Sequence, residues 1–400
     1  MPNTLLTAQQ ITRKALSILE NDMPFIGSIN RQYDSSFGVN GAKIGAQLKV
    51  RLPNQYTVRT GRQAQTQATN EQSETLVVAD QSGIDCEFYS DELALSLDDF
   101  SDRILKPQMS RLASHLESVA LGMTLDVANQ VGAHGTVPNA LLVYLQARQK
   151  LNEHLAPNND RTVLIDSGAM AATVNALSSL FHESRAIAHQ YKEGFILRNS
   201  GFDFYESQLI KRITHGSADL TTPIVDGAGQ GGDGQMLMSG FDALATLAVG
   251  QTFTLAGCFE VNPETKDAYS YLKQLVVTAA FAADGAGAGT ITFEPKLIAT
   301  GAYQNCSALP TSGGALVVAG TASTAYPYDL AYQKDAFTFV TANLPIPKGM
   351  DMAYQTTKNG LTLRFVRGYD IKEDQFISRF DVLHGQKTLR REHACKIIGA

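Results

Sequence analysis

Ala336-Phe337-Thr338-Phe339-Val340-Thr341-Ala342-Asn343-Leu344-Pro345, followed by Gly360-Leu361-Thr362-Leu363-Arg364-Phe365-Val366, carries the clearest strand signal in this 400-residue chain. The first stretch is dense in aromatic and β-branched residues, and in the second Leu361, Leu363 and Phe365 recur at every other position. That is the period of a half-buried strand. Two long strands close to the carboxy terminus imply a sheet whose partners lie earlier in the chain.

Such partners are legible upstream. Leu48, Val50 and Leu52 alternate with Gln47, Lys49 and Arg51, and the same phase continues through Tyr56 and Val58 beyond Pro53-Asn54. A polar, small-residue stretch follows at residues 63–70, and apolar strands resume at Leu76-Val77-Val78 and at Ile84, Cys86 and Phe88. Together these read as a long hairpin with a polar tip. Its two sides differ in charge: residues 1–62 hold eight Lys/Arg against three Asp/Glu, whereas residues 63–100 hold nine Asp/Glu and no basic residue. The contrast is either complementary contact between neighbouring copies or a pair of solvated faces, since an exposed ion pair contributes only about 0–1 kcal/mol.

Ahead of the hairpin, Ile11, Ala15, Leu16 and Leu19 have helical spacing, and polar, glycine-containing sequence then runs to about residue 45, so this segment reads as an arm. After the hairpin, Phe100, Ile104, Met109, Leu112, Leu116, Val119, Met123 and Val127 predict one long helix from Ser96 to about Val131, kinked or restarted at Pro107. Leu141, Tyr144, Leu145, Leu151 and Leu155 signal a second helix. Thr162-Val163-Leu164-Ile165 is a buried strand leading through an Asp166-Ser167 cap into a helix with Met170, Val174, Leu177 and Phe181 on one stripe. From residue 217 the composition turns to Gly, Ala, Thr and Ser, with short strands at 252–255, 275–278 and 290–293, which predicts a small inserted β module.

The bulk numbers restrict function. With 44% hydrophobic residues there is material for more than one core, and a net charge of −6 leaves no overall basic footprint for tight nucleic-acid binding. No apolar run approaches the roughly 18 residues of a membrane span, and no secretory leader is visible at Met1–Leu19. Cys86, Cys258, Cys306 and Cys395 are far apart in sequence and read as isolated buried thiols. Gly227-Ala228-Gly229-Gln230-Gly231-Gly232 matches a dinucleotide-loop pattern, but five glycines crowd into eight residues and no long helix follows, so a flexible connector is expected. His182 and His189 could share a helix face, yet no histidine spacing makes a metal site, and Asp166-Ser167-Gly168 lacks the upstream glycine of a nucleophile elbow. No catalytic, cofactor-binding or metal residue is assigned, and no enzyme activity is expected.

The two stretches quoted first, with Tyr369-Asp370-Ile371 and Asp381-Val382-Leu383-His384-Gly385-Gln386-Lys387-Thr388-Leu389-Arg390, resemble the carboxy-terminal region of P22-like phage coat proteins. The resemblance implies an α+β, HK97-like capsid fold with a long spine helix, an extended β-hairpin loop and an inserted small β domain. It divides the chain into an amino-terminal arm (1–40), an extended loop (41–90), the spine helix of a peripheral domain (91–135), a first axial part (136–216), the inserted β domain (217–312), return strands (313–360) and carboxy-terminal peripheral strands (361–400). A lysine in the extended loop, used for covalent cross-linking elsewhere in this fold group, has no counterpart, because there is no lysine between Lys49 and Lys106.

By the same resemblance the chain is expected to self-assemble, as pentamers and hexamers, into the icosahedral shell enclosing the double-stranded DNA of a tailed bacteriophage. It would be assembled in the host bacterial cytoplasm and end in the virion capsid. Implied partners are a scaffolding protein, a portal protein, packaged DNA through nonspecific phosphate contacts and, optionally, a decoration protein, with no membrane. Arg59 and Arg62 against Glu71 and Glu74 are the candidate inter-subunit contacts, and Glu20 and Asp22 the candidate scaffold contact. The alternatives are an encapsulin-type compartment shell of the same fold and an α/β enzyme.

Overall fold

The computed structural model describes residues 8–31, 46–59, 61–64, 66–67, 71–89, 101–177, 200–218, 223–372 and 375–399. Several expectations fall outside the described residues: parts of the arm (1–7 and 32–40), the start of the extended loop (41–45), part of the hairpin tip (65 and 68–70), the beginning of the spine helix with Phe100, and Phe181, His182 and His189. The chain divides into two compact units, one from residues 1–51, 73–121 and 337–389, the other from 52–72, 122–336 and 390–400.

The first unit is organised by the strand Gln375–Thr388. Fourteen residues are long enough for it to serve different partners along its length. Its first part pairs antiparallel with Leu361–Asp370 on one side and with Asp80–Tyr89 on the other, and its last part pairs with Phe337–Ala342. Met352–Lys358 adds to the outer edge of Leu361–Asp370 through a tight turn at Asn359 and Gly360. Both turn residues have positive φ, 49° and 78°, the geometry that an Asn-Gly pair supplies for a two-residue hairpin. The opening stretches of the sequence are thus paired strands, as their alternation predicts.

Ala46–Arg51 and Ser73–Val78 form the antiparallel root of the extended hairpin, with Leu48 opposite Leu76. Leu76 and Val78 pack with Val340, Ala342, Leu344 and Leu383 in a small apolar cluster. Two expectations change here. The strand ends at Arg51, so Tyr56 and Val58 continue no ladder and are exposed; Pro53 offers no N–H to a ladder and breaks the phase. Residues 80–89 do not extend the hairpin but join the main sheet.

The amino-terminal helix, Ala8–Asn21, buries Ile11, Ala15, Leu16 and Leu19, and lies against the helix Lys106–Ala120 and the strands Met352–Lys358 and Leu361–Asp370. Its apolar stripe is therefore satisfied within its own unit. Among the described residues the spine runs from a π-helical turn at Ser101–Leu105, through an α-helix over Lys106–Ala120, to a 3-10 helix over Leu121–Asp126. Pro107 sits in the first α turn, where its missing N–H costs nothing, so the proline marks a restart. The helix stops short of the expected Val131, because Gln130–Val131 pairs parallel with Ala394–Ile398.

The second unit holds a six-stranded sheet: Gln130–Val131, Ala394–Ile398, Ala325–Gln333, Arg161–Ile165 and Asp203–Glu206 in that order, with Arg212–Thr214 also paired to Ala325–Gln333. Its core joins Val163, Ile165, Phe204, Ala331 and Ile397 to Tyr144, Ala147 and Leu151 of the helix Leu141–Glu153. Asp166 accepts the Gly168 N–H at 3.1 Å at the start of the helix Ser167–Leu177, the capping role expected of it. The inserted module is a second sheet, in the order Leu316–Val318, Thr252–Val261, Ala268–Val277, Gly289–Glu294, Gln235–Ser239, Ile224–Val225. A bridge between Ile224 and Ala315 ties its two edges together. Phe253, Leu255, Leu275, Ile291, Phe293 and Leu316 are among the residues filling it.

Candidate assembly surfaces and buried polar groups

The glycine-rich segment is not a flexible connector but an ordered turn between two strands of the module. The Gly229 N–H donates to the Pro310 carbonyl at 3.0 Å, and Gln230 accepts the Leu237 N–H at 2.7 Å. Gly231 lies against Leu297 and Phe293, where a side chain would collide. This packing accounts for the glycines without a phosphate.

Of the residues singled out for contacts between copies, Arg59, Arg62 and Glu71 are exposed, and Arg59 donates to the carbonyl of Gly61. Glu74 is half-buried and forms an ion pair with Lys387 at 3.3 Å, so it already has a partner in its own chain. Glu20 is more deeply engaged. Its carboxylate meets Lys358 at 2.8 Å and Arg31 at 3.7 Å and accepts a hydrogen bond from Asn359, and these partners hold its pKa below the ordinary carboxylate value. Asp22, beyond the end of that helix, is exposed.

Sequence reading passed over a set of exposed apolar residues. Ile371 is 84% exposed at the turn between the two longest strands of the first unit. Nearby, Tyr369 and Phe376 pair their rings, and the Arg367 guanidinium lies 4.9 Å from the Phe376 ring centre. In the second unit, Leu244 is 71% exposed on the module and Leu142 is 62% exposed on the helix Leu141–Glu153. An isoleucine in a turn flanked by Asp370 and Lys372 was the available signal, because a turn has no face to bury it.

Several ionisable groups in the interior are occupied in holding the fold. Glu117 accepts the N–H groups of Phe25 at 2.6 Å and Ile26 at 3.2 Å, capping the short helix Pro24–Ser28, and burial pushes its pKa up to about 7. Lys273 and Glu260 form a buried pair at 2.7 Å inside the second unit. Lys396, fully buried, donates to the Gly250 carbonyl at 2.7 Å and the Thr252 hydroxyl at 2.9 Å, with the Tyr328 ring 5.2 Å away; burial lowers its pKa to about 7. The Tyr328 hydroxyl lies between His215 at 2.8 Å and His134 at 3.2 Å, and burial lowers both imidazoles to about 4. Among the described residues, no group of three or more His, Cys, Asp or Glu could hold a metal ion. No described helix is long and apolar enough to cross a membrane.

Residues 236–399 match the family model for the P22 coat protein, gene protein 5. Among solved structures, a chain of Mycobacterium phage Che8 is similar at 12% identity and a TM-score of 0.47, with 94% of this chain and 90% of that one covered. The capsid structure of the Cyanophage P-SCSP1u is similar at 11% identity and a TM-score of 0.42, with coverages of 90% and 84%. The CUS-3 coat protein I-domain aligns with 25% of this chain over 96% of its own length, at 20% identity and a TM-score of 0.19. No curated relative matches the chain.

The family match gives the class of protein to which residues 236–399 are similar, a phage coat protein. Hairpin, long helix, sheets and inserted β module together make an α+β chain.

Proposed function

We propose that the chain forms, as pentamers and hexamers of one subunit, the icosahedral shell that encloses the double-stranded DNA genome of a tailed bacteriophage. The match to the P22 coat protein across residues 236–399 carries this reading. Assembly takes place in the host cytoplasm with a scaffolding protein and a portal protein, and packaged DNA touches the shell through nonspecific phosphate contacts. A decoration protein is an optional outer partner. The protein performs no catalysis. In support, Glu117, Lys273, Glu260 and Lys396 each have partners that account for their burial.

Contacts between copies are heterologous and repeat around the shell, so modest patches add up through multivalency. Arg59 and Arg62 meeting Glu71 and Glu74 of a neighbour set the register of the extended hairpin, while Ile371, Leu244 and Leu142 supply apolar contact. Glu20 and Asp22 remain the proposed scaffold contact, with Asp22 the more accessible. The charge pairing is tested by single and paired reversals. Arg59→Glu with Arg62→Glu is expected to block shell formation, and adding Glu71→Lys with Glu74→Lys to restore it; continued failure of the combined variant removes the pairing.

Electron microscopy of the protein expressed with and without a scaffolding protein tests the whole reading. Closed icosahedral particles of uniform size with the scaffold, and aberrant shells without it, are expected. A discrete monomer or dimer under both conditions would return the enzyme reading to consideration, and uniform closed shells without scaffold would favour an encapsulin-type compartment.

A further inference from the structure

Cys258 and Cys306 are separated by 48 positions in sequence, yet the module brings them together. Cys258 lies on the strand Thr252–Val261 and shares its inward face with Glu260. Glu260 forms a bridge with Cys306, and the adjoining residues lock the two segments: the Ser307 N–H donates to the Phe259 carbonyl at 3.0 Å, and the Phe259 N–H to the Ser307 hydroxyl at 3.1 Å. Both thiols are fully buried in the module core, both are free, and the Glu260–Cys306 bridge sets Cys306 diagonally across from Cys258 on one face.

The surroundings of Cys306 differ from those of an inert core thiol. Its N–H donates to the Ile298 carbonyl at 3.2 Å. Ile298, Asn305, Glu260 and Lys273 all line one cavity of about 230 Å³ inside the second unit, so a space that admits small polar molecules adjoins the residues around Cys306. His154 lines the same cavity with its Nε2 unpartnered, and burial keeps it neutral. The contact with Cys258, together with the Lys273 ammonium, holds the Cys306 thiol below its ordinary pKa, while the same contact and burial push Cys258 up. One member of the pair is therefore the better nucleophile, and the thiolate is the reactive form.

We infer that Cys258 and Cys306 form a dithiol site in the inserted module which a small hydroperoxide converts into an intrachain disulfide. The Cys306 thiolate attacks the peroxide oxygen and breaks the O–O bond, giving a Cys306 sulfenic acid and releasing hydroxide, or an alkoxide from an organic peroxide. The Cys258 sulfur then displaces the sulfenic oxygen, which leaves as water with the Cys258 proton. Two thiols are oxidised by two electrons in all, and the peroxide is reduced. The new bond joins the strand Thr252–Val261 to the segment around Cys306 and constrains the unfolded module more than the folded one.

The test uses assembled, full-length protein treated with hydrogen peroxide, followed by thiol titration in denaturant and non-reducing peptide mapping. Two of the four thiols per chain should disappear, a Cys258–Cys306 linked peptide should appear, and dithiothreitol should restore both thiols. With Cys258→Ser, the reaction should stop at a Cys306 sulfenic acid that dimedone traps. Four thiols still titratable after treatment, or a linked peptide that joins other cysteines or two different chains, would overturn the inference. The wild-type measurement stands even where the serine variant fails to fold.

Discussion

Glu117 shows how a buried carboxylate is kept by the backbone groups it serves. It replaces the missing acceptors at the start of a short helix, and leaving a buried N–H unpaired costs about 1–3 kcal/mol. Glu117→Ala is therefore expected to lower stability by about 2–4 kcal/mol, for two such groups partly re-solvated, measured by urea unfolding of the unassembled subunit. The pH dependence has a definite sign. The folded pKa, about 7, lies above the unfolded value of 4.5, so the folded state binds the extra proton between them. This contribution is fully present below about pH 4.5 and is lost as pH rises through 7. Glu117→Gln, which cannot titrate, should flatten the stability profile across that interval; an unchanged slope would show that other groups set it. None of this was legible in the sequence, where Glu117 is one acidic residue on a helix and its partners lie more than ninety positions away.

At the scale of elements, alternation and turn chemistry made the strands readable: Phe337–Ala342 and Leu361–Asp370 are where their period places them. Boundaries were harder. Met123 and Val127 continue the helical phase of the spine although the backbone has tightened and then left the helix, because burial by neighbouring elements rewards apolar residues in any conformation. Pairing was harder still, since nothing local says that residues 80–89 join a strand some three hundred positions later. Glycines at these junctions carry the pairing. Gly385 opposes Val340, and a Cβ at this position would land on the Val77 carbonyl of the hairpin root. Gly83 similarly meets the Phe380 carbonyl, at 2.5 Å from an added Cβ. Gly385→Ala should destabilise the first unit by about 1–3 kcal/mol through overpacking. Hydrogen exchange would show the loss concentrated at Leu76 and Val78; protection unchanged there would mean that the hairpin root does not rest on this strand.

For the whole molecule, the inserted module stands out because it has a hydrophobic core of its own and tied sheet edges. About a hundred residues with such a core are enough to fold independently. A fragment spanning residues 217–324 should give a cooperative thermal transition and a dispersed amide spectrum; a collapsed spectrum would mean that the module depends on Lys396 and Gln130, which hydrogen-bond to it from the adjoining sheet. The shift to Gly, Ala, Thr and Ser from residue 217 precedes the first strand of this sheet, Ile224–Val225. The surfaces proposed to meet other copies are defined by a geometry that no single chain contains.

The first unit is assembled from three separate lengths of chain, and its central strand arrives near the end. Seen from the ribosome, the polypeptide emerges amino end first at about 5–20 residues per second. The hairpin root, the spine helix and residues 80–89 must wait for residues 375–388, and the other unit waits for Ala394–Ile398. A truncated or still-tethered chain thus exposes unfinished sheet edges in place of a completed contact surface. Synthesis of residues 375–398 becomes the checkpoint: neither unit closes its sheet until they have emerged.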